Sequence, residues 1–208
     1  MSVGKFITIE GAEGVGKSTQ CALLSNALEA DFGCQPLLTR EPGGTLLGES
    51  IRAILLDPKL PAMSSAAELL LMFAARAEHL SGVIRPALAR GDWVICDRFT
   101  DASYAYQGGG RDLGFEQIRT LEDFVQEGFT PDLTLLLDLD LDTAFKRVAK
   151  RGQPDRIEQE GRAFFQRVRD AYLQRAADCP QRIVVVDAGP TVDLIHASIM
   201  QIAREKLM

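Results

Sequence analysis

The chain reads as an α/β protein: a five-stranded parallel sheet with helices on both faces. Three observations predict this. Short apolar runs alternate with helix-like stretches along the whole length. One run, residues 133–139, is apolar almost throughout, as expected of a central parallel strand covered on both faces. The first run, Phe6-Ile7-Thr8-Ile9, opens into a glycine-rich turn and then directly into a helix-forming stretch.

The elements follow in order. After the first strand, residues 20–30 form a helix. Pro36-Leu37-Leu38-Thr39 is the second strand, ended by the Gly/Pro loop Glu41-Pro42-Gly43-Gly44. Ser65-Ala66-Ala67-Glu68 has the pattern of a capping box and opens a helix over about 66–80. Gly91-Asp92 is a turn, and Trp93-Val94-Ile95-Cys96 enters the third strand. A helix over 115–126 stops at Gly128, with Pro131 just beyond. Residues 133–139 give the fourth strand and Ile183-Val184-Val185-Val186 the fifth, which leads to a helix from about 192 to the terminus. No repeat, low-complexity tract or linker divides the chain, so one domain over 1–208 is expected.

Composition narrows the class. Of 208 residues, 46% are apolar and 25% charged, ordinary for a soluble globular domain. A net charge of −6 argues against a polyanion-binding surface, so no nucleic-acid partner is expected. Cys21, Cys34, Cys96 and Cys179 are scattered, and His79 and His196 are isolated; reduced thiols suit this pattern better than zinc or disulfides. No apolar stretch has membrane-spanning length, and Met1 leads almost directly into the first strand. No membrane association and no signal peptide are expected, and a cytoplasmic protein is the default.

Gly11-Ala12-Glu13-Gly14-Val15-Gly16-Lys17-Ser18-Thr19 matches G-x-x-x-x-G-K-[ST] in full, between strand and helix. Such a loop curls its N–H groups around a phosphate at the positive end of the following helix. Lys17 is placed to reach the β- and γ-phosphates and Ser18 to ligate Mg²⁺. A nucleoside triphosphate is therefore the expected ligand. In an open parallel sheet, ligands bind beyond the carboxyl ends of the strands, where Glu13, Arg40, Glu41, Asp97 and Arg98 fall. Asp97 has the Walker B position for holding Mg²⁺, and Arg98 suits a phosphate, although a structural salt bridge is the usual role of such a dipeptide. Residues 146–162 are dense in charge and carry Gly152 and Pro154; a mobile lid and a solvated helix end fit them equally. Phe73 and Arg76 share a helix face. Core packing suits Phe73 on periodicity, while a stacked base and a paired phosphate would suit the two together. Gln107-Gly108-Gly109-Gly110-Arg111, after Ser103-Tyr104-Ala105-Tyr106, reads as a loop too polar and glycine-rich for the core, either functional or plain surface.

Taken together these pieces resemble the thymidylate kinase family over nearly the whole chain. The markers are 10–19, Thr39-Arg40-Glu41-Pro42-Gly43-Gly44-Thr45, and Phe73-Ala74-Ala75-Arg76-Ala77-Glu78-His79. They continue with Asp97-Arg98-Phe99, Ser103-Tyr104-Ala105-Tyr106-Gln107-Gly108 and Asp155-Arg156-Ile157-Glu158. The resemblance implies a P-loop nucleoside monophosphate kinase-like fold with a small lid at about 147–160. It also implies transfer of the ATP γ-phosphoryl group to dTMP, with Mg²⁺. By this likeness Phe73 stacks on thymine and Arg76 contacts base or phosphate, while Glu41 and Pro42 line the acceptor side. Arg98, with Arg52, holds the acceptor phosphate. Ser103 and Gln107 lie along the thymine edge, Tyr106 guards sugar C2′, and Glu13 accepts from the 3′-hydroxyl. One departure stands out: the place of a P-loop arginine found in some members is Gly14. The lid is then expected to supply that charge through Arg151 or Arg156, with Lys150 a lesser candidate. Arg147 is expected against adenine, bordered by Asp187-Ala188-Gly189. A homodimer is implied too, and the apolar face Ala67-Leu70-Leu71-Ala74 suits either that contact or the core. The rival readings are a kinase for another nucleoside monophosphate, a non-catalytic nucleotide switch, for which no N-K-x-D motif is present, and a nucleic-acid-stimulated ATPase, which the acidic balance disfavours.

Overall fold

The computed structural model describes residues 4–33, 35–149 and 153–207. Five parallel strands form one sheet in the order β2-β3-β1-β4-β5: β1 (Phe6–Glu10), β2 (Leu37–Arg40), β3 (Val94–Asp97), β4 (Leu133–Asp138) and β5 (Ile183–Asp187). The central strand β1 is buried along its whole length, and β4 nearly so, which explains their mostly apolar sequences. Two of the polar residues within them, Thr8 and Thr134, satisfy each other through a 2.7 Å hydroxyl contact across β1 and β4.

Both faces are covered. On one, α1 (Lys17–Phe32) contributes Leu24 and Leu28, and α9 (Val192–Leu207) contributes Ile195, Ile199 and Met200, against Ile7, Ile9, Leu135 and Leu137. On the other, α8 (Arg162–Asp178) packs Phe164, Phe165, Val168 and Tyr172 near Leu136 and Ile183. A further cluster there joins Phe6, Val94 and Cys96 to Leu80, Ile84 and Phe99. The register sets Ile9 and Arg40 level with Asp97, so segments far apart in sequence deliver polar groups to one edge.

The remaining helices are α2 (Leu46–Leu56), α3 (Ser65–His79), α4 (Arg85–Ala89), α5 (Thr100–Ser103), α6 (Phe115–Gln126) and α7 (Leu141–Val148). Neither α2 nor α8 is among the elements expected from sequence. The capping residue of α3 is Ser64, not Ser65: its Oγ accepts from Ala67 N–H, and Glu68 turns inward instead of back to the cap. The helix also runs past residue 80, through a π-turn at Leu80–Ile84 into α4, where Pro86 has no N–H for a regular ladder.

The expected loop at 107–111 is a buried helical segment. Tyr104–Gly110 is a π-helical turn continuing α5, closed by Arg111 N–H on the Tyr106 carbonyl at 2.8 Å. Its glycines serve packing: a Cβ on Gly109 would lie 2.6 Å from Ala171 Cβ, and one on Gly110 2.6 Å from the Phe164 ring. Only bare backbone lets α8 approach this closely.

Candidate active site

The loop between β1 and α1 wraps its own lysine. Lys17 Nζ donates to the carbonyls of Ala12 at 2.9 Å and Gly11 at 3.2 Å. Burial, with Arg98 nearby, lowers its pKa, so an incoming anion would favour the charged form. The helix begins at Lys17, earlier than expected, with Gly16 at φ 99° as its cap. Ala12 and Val15 pack beneath the loop, and Thr19 is exposed on the first turn. Ser18 Oγ donates to Asp97 Oδ2 at 2.9 Å, joining loop and β3. A hydroxyl and a carboxylate are hard oxygen donors, and Mg²⁺ in phosphate sites takes only one or two protein ligands, so this pair fits that ion. Gly14, at φ 80°, lies against α7: a Cβ there would stand 2.5 Å from the Ala144 carbonyl oxygen. The backbone thus has no room for the P-loop arginine of other family members.

Next to the loop, Arg98 is held at φ 72° with its guanidinium among four acceptors. Nη1 donates to Gly11 O at 2.9 Å and Tyr172 Oη at 3.2 Å. Nη2 donates to Tyr106 Oη at 2.9 Å and pairs with Glu13. The cation lies 4.7 Å from the Tyr106 ring centre. Burial alone would lower its pKa, but Glu13 holds it well above the ordinary value. Behind it, Tyr172 donates to Glu10 at 2.7 Å and Phe99 N–H donates at 2.6 Å.

Burial, reinforced by Asp101, pushes the Glu10 carboxyl from 4.5 up to about 8. Its folded pKa is thus above the unfolded one, so the stabilisation is full below about pH 4.5 and is lost as pH rises to about 8. Urea unfolding across that range should show stability falling, and Glu10→Gln should flatten the slope; an unchanged slope would mean that Glu10 stays ionised throughout.

A cavity of about 320 Å³ extends from this point, lined by Glu13, Lys17, Ser18, Asp97 and Arg98 at one end and Met72, Gln107 and Arg156 at the other. Arg52, Pro42 and Tyr106 also line it, with Arg52 Nη1 donating to the Pro42 carbonyl at 3.0 Å. The aromatic expectation needs correction. Phe73 does not reach the cavity; it packs with Leu69, Tyr104 and Ile118, its face covered by Arg76 at 4.5 Å. Met72 lines the wall in its place. Ser103 is likewise fully buried off the cavity and accepts from Arg76 Nη2 at 3.0 Å. Glu41 accepts from Arg76 Nε at 2.8 Å and contacts His79 Nδ1 at 3.1 Å, so it orients Arg76. After these contacts, Gln107 Oε1 on the cavity wall and Arg76 Nη1 off it are two of the four buried side-chain polar atoms without a hydrogen-bond partner among the described residues.

Glu68, which the sequence marked only as a capping-box acid, is 1% exposed and accepts from Gln107 Nε2 at 2.9 Å. It also accepts from Arg111 Nε and Nη2, both at 3.2 Å, and from Arg156 Nη2 at 2.6 Å. Arg156 does not stand over the phosphate loop as expected. Its Nε donates to the Leu55 carbonyl at 2.7 Å and its N–H to Leu56, which fastens residues 155–158 to the cavity's far wall. That turn is a capping box of its own: Asp155 accepts from the Glu158 N–H at 2.8 Å and Glu158 from the Asp155 N–H at 3.1 Å. Lys150 and Arg151 lie outside the described residues. Arg147 reaches from α7 toward the loop, with Nη1 3.5 Å from Gly14 O and Nη2 3.3 Å from Ala188 O.

The thymidylate kinase family model matches residues 9–199. A thymidylate kinase from Ectopseudomonas mendocina is 57% identical over 196 residues, covering 94% of this chain and 93% of the relative. One from Chromohalobacter salexigens is 54% identical over 209 residues, covering all of this chain and 98% of its own. The crystal structure of thymidylate kinase from Ehrlichia chaffeensis superposes with a TM-score of 0.81 at 35% identity, covering 98% of this chain and all of that one. With family model, full-length relatives and superposed fold in agreement, the chain belongs to the thymidylate kinase family.

Proposed function

We propose that the chain transfers the γ-phosphoryl group of ATP to dTMP, a phosphate oxygen of dTMP attacking the γ-phosphorus as ADP leaves. Catalysis of this kind is positioning and charge neutralisation. Lys17 exchanges its loop carbonyls for phosphate oxygens, and Arg98, seconded by Arg52, binds the acceptor phosphate. Glu13 takes the 3′-hydroxyl, Tyr106 stands at sugar C2′, and Arg147 lies along adenine. Ser18 and Asp97 are the residues that would hold Mg²⁺, which neutralises charge on the β- and γ-phosphates when bound.

The observation that carries the reading is the unmet acceptor on the cavity wall, Gln107 Oε1; the unmet donor Arg76 Nη1 lies behind that wall, off the cavity lining. Thymine offers a donor at N3–H and an acceptor at O4, whereas cytosine reverses both. Orphaned buried polar atoms cost about 1–3 kcal/mol each, so the matching base is favoured and the reversed one penalised. ADP release should be measured across dTMP, dUMP, dCMP, dGMP and ribo-TMP beside an acceptor-free control. Turnover should be strongest with dTMP, weaker with dUMP and about a hundredfold or more lower with dCMP. Hydrolysis indifferent to the acceptor would sink the reading.

Residues 1–208 are read as one domain with a lid at 147–160, supported by the contact of 155–158 with α2 and α3. A homodimer is supported by exposed apolar side chains on two helices, Leu70 of α3 at 58% and Phe124 of α6 at 81%. A cytoplasmic location suits the free thiols of Cys21, Cys96 and Cys179. Among the described residues, no helix is long and apolar enough to cross a membrane.

A further inference from the structure

An amide side chain presents either its oxygen or its NH₂ group, and only its other partners decide which. At Gln107 that partner is Glu68. The carboxylate is buried, which alone would raise its pKa, but hydrogen bonds from Arg111, Gln107 and Arg156 bring it below the ordinary range. An ionised carboxylate has no proton to give, so the amide must turn its NH₂ toward Glu68 and leave Oε1 free. Met72 and Gln107 line the cavity at this point, and Glu68 lines it behind them.

We propose that Glu68 is a positioning residue for base selectivity: by remaining an acceptor only, it locks Gln107 so that an oxygen meets the base edge. The two arginines have a defined part in this. Arg111 and Arg156 keep the buried carboxyl ionised, and with it the orientation of the amide. The inference rests on the reading of Gln107 as the partner of thymine N3–H. A ring with an acceptor at that position, cytosine among them, meets like against like as long as Glu68 is charged.

The test is the ratio of kcat/KM for dTMP to that for dCMP. In Glu68→Gln both amide orientations become available, and each acceptor selects the one it needs. Turnover of dCMP should then rise relative to dTMP and the ratio fall about tenfold, the worth of one hydrogen bond restored. A purely structural role would lower both acceptors together and leave the ratio unchanged, and that result overturns the proposal. The double variant Glu68→Gln with Gln107→Glu restores an acceptor-only group at 107 and should recover selectivity. If the single variant does not fold, the double variant decides alone: folded and unselective, it overturns the proposal. Arg111→Met should reduce thermal stability yet keep most of the ratio, because Arg156 still faces Glu68. A wild-type protein that does not discriminate dTMP from dCMP would instead sink the base-edge reading itself.

Discussion

Replacing Arg98 with alanine should lower kcat/KM for dTMP by about 10³-fold, the scale of a lost arginine at a transferring phosphoryl group. Affinity for ATP should stay within about threefold, because Lys17 shares only the Gly11 carbonyl with Arg98 and keeps the Ala12 carbonyl to itself. The guanidinium joins the P-loop through Gly11, the Glu13 carboxylate, and the hydroxyls of Tyr106 and Tyr172. Lysine offers a point charge rather than a fork, so Arg98→Lys should recover little. Initial rates with dTMP varied, beside equilibrium binding of an ATP analogue, separate the two substrates. Equal loss of both would remove Arg98 from the acceptor site and make it a brace for the loop.

The largest effect on stability is expected away from the chemistry, at Asp101. This buried carboxylate accepts from Arg175 Nε at 3.0 Å and from Arg182 Nη1 and Nη2 at 2.7 and 3.0 Å. Arg182 also donates to Thr134 Oγ1 at 3.0 Å, and Arg175 lies 3.9 Å from the Tyr104 ring centre. The cluster therefore ties α5, α8 and the central sheet together. Asp101→Ala leaves two mostly buried cations without their shared anion, a change that costs about 3–5 kcal/mol. For a chain of this size the melting temperature should drop by about 10 °C. Asp101 also helps to raise the Glu10 pKa, so the variant should show a shallower loss of stability toward pH 8. A melting temperature within about 2 °C of wild type would mean that the arginines find water instead.

What the sequence makes legible follows from the physics of each element. The strands are visible because both faces of β1 and β4 are covered, leaving apolar runs with no competing period. The P-loop is visible because phosphate wrapping constrains residue types at fixed spacing. Helix α8 carried a signal, Phe164, Phe165, Val168, Ala171, Tyr172 and Ala176 at helical spacing, but its many charges mask it. Adjacent apolar residues are a different matter. Met72 and Phe73 differ by about 100° around α3, and only tertiary packing chooses which one meets the cavity. The local signature of Glu68 is that of a capping box, and nothing local shows its true partners, which are 39, 43 and 88 residues away. The glycines of 108–110 suggested a loop because composition records missing side chains, not the helix that fills their space.

The contacts of Lys17 bear on how the loop keeps its shape. Amide groups curled into an arc carry dipoles that repel where they converge. Here the ammonium is folded back onto carbonyls of the same loop and acts as an internal counterion to their oxygens. The loop thus carries part of its own bracing. Nucleotide arrival is then a substitution, with one neutral set of oxygens exchanged for a charged one, and the chain has no new curvature to find.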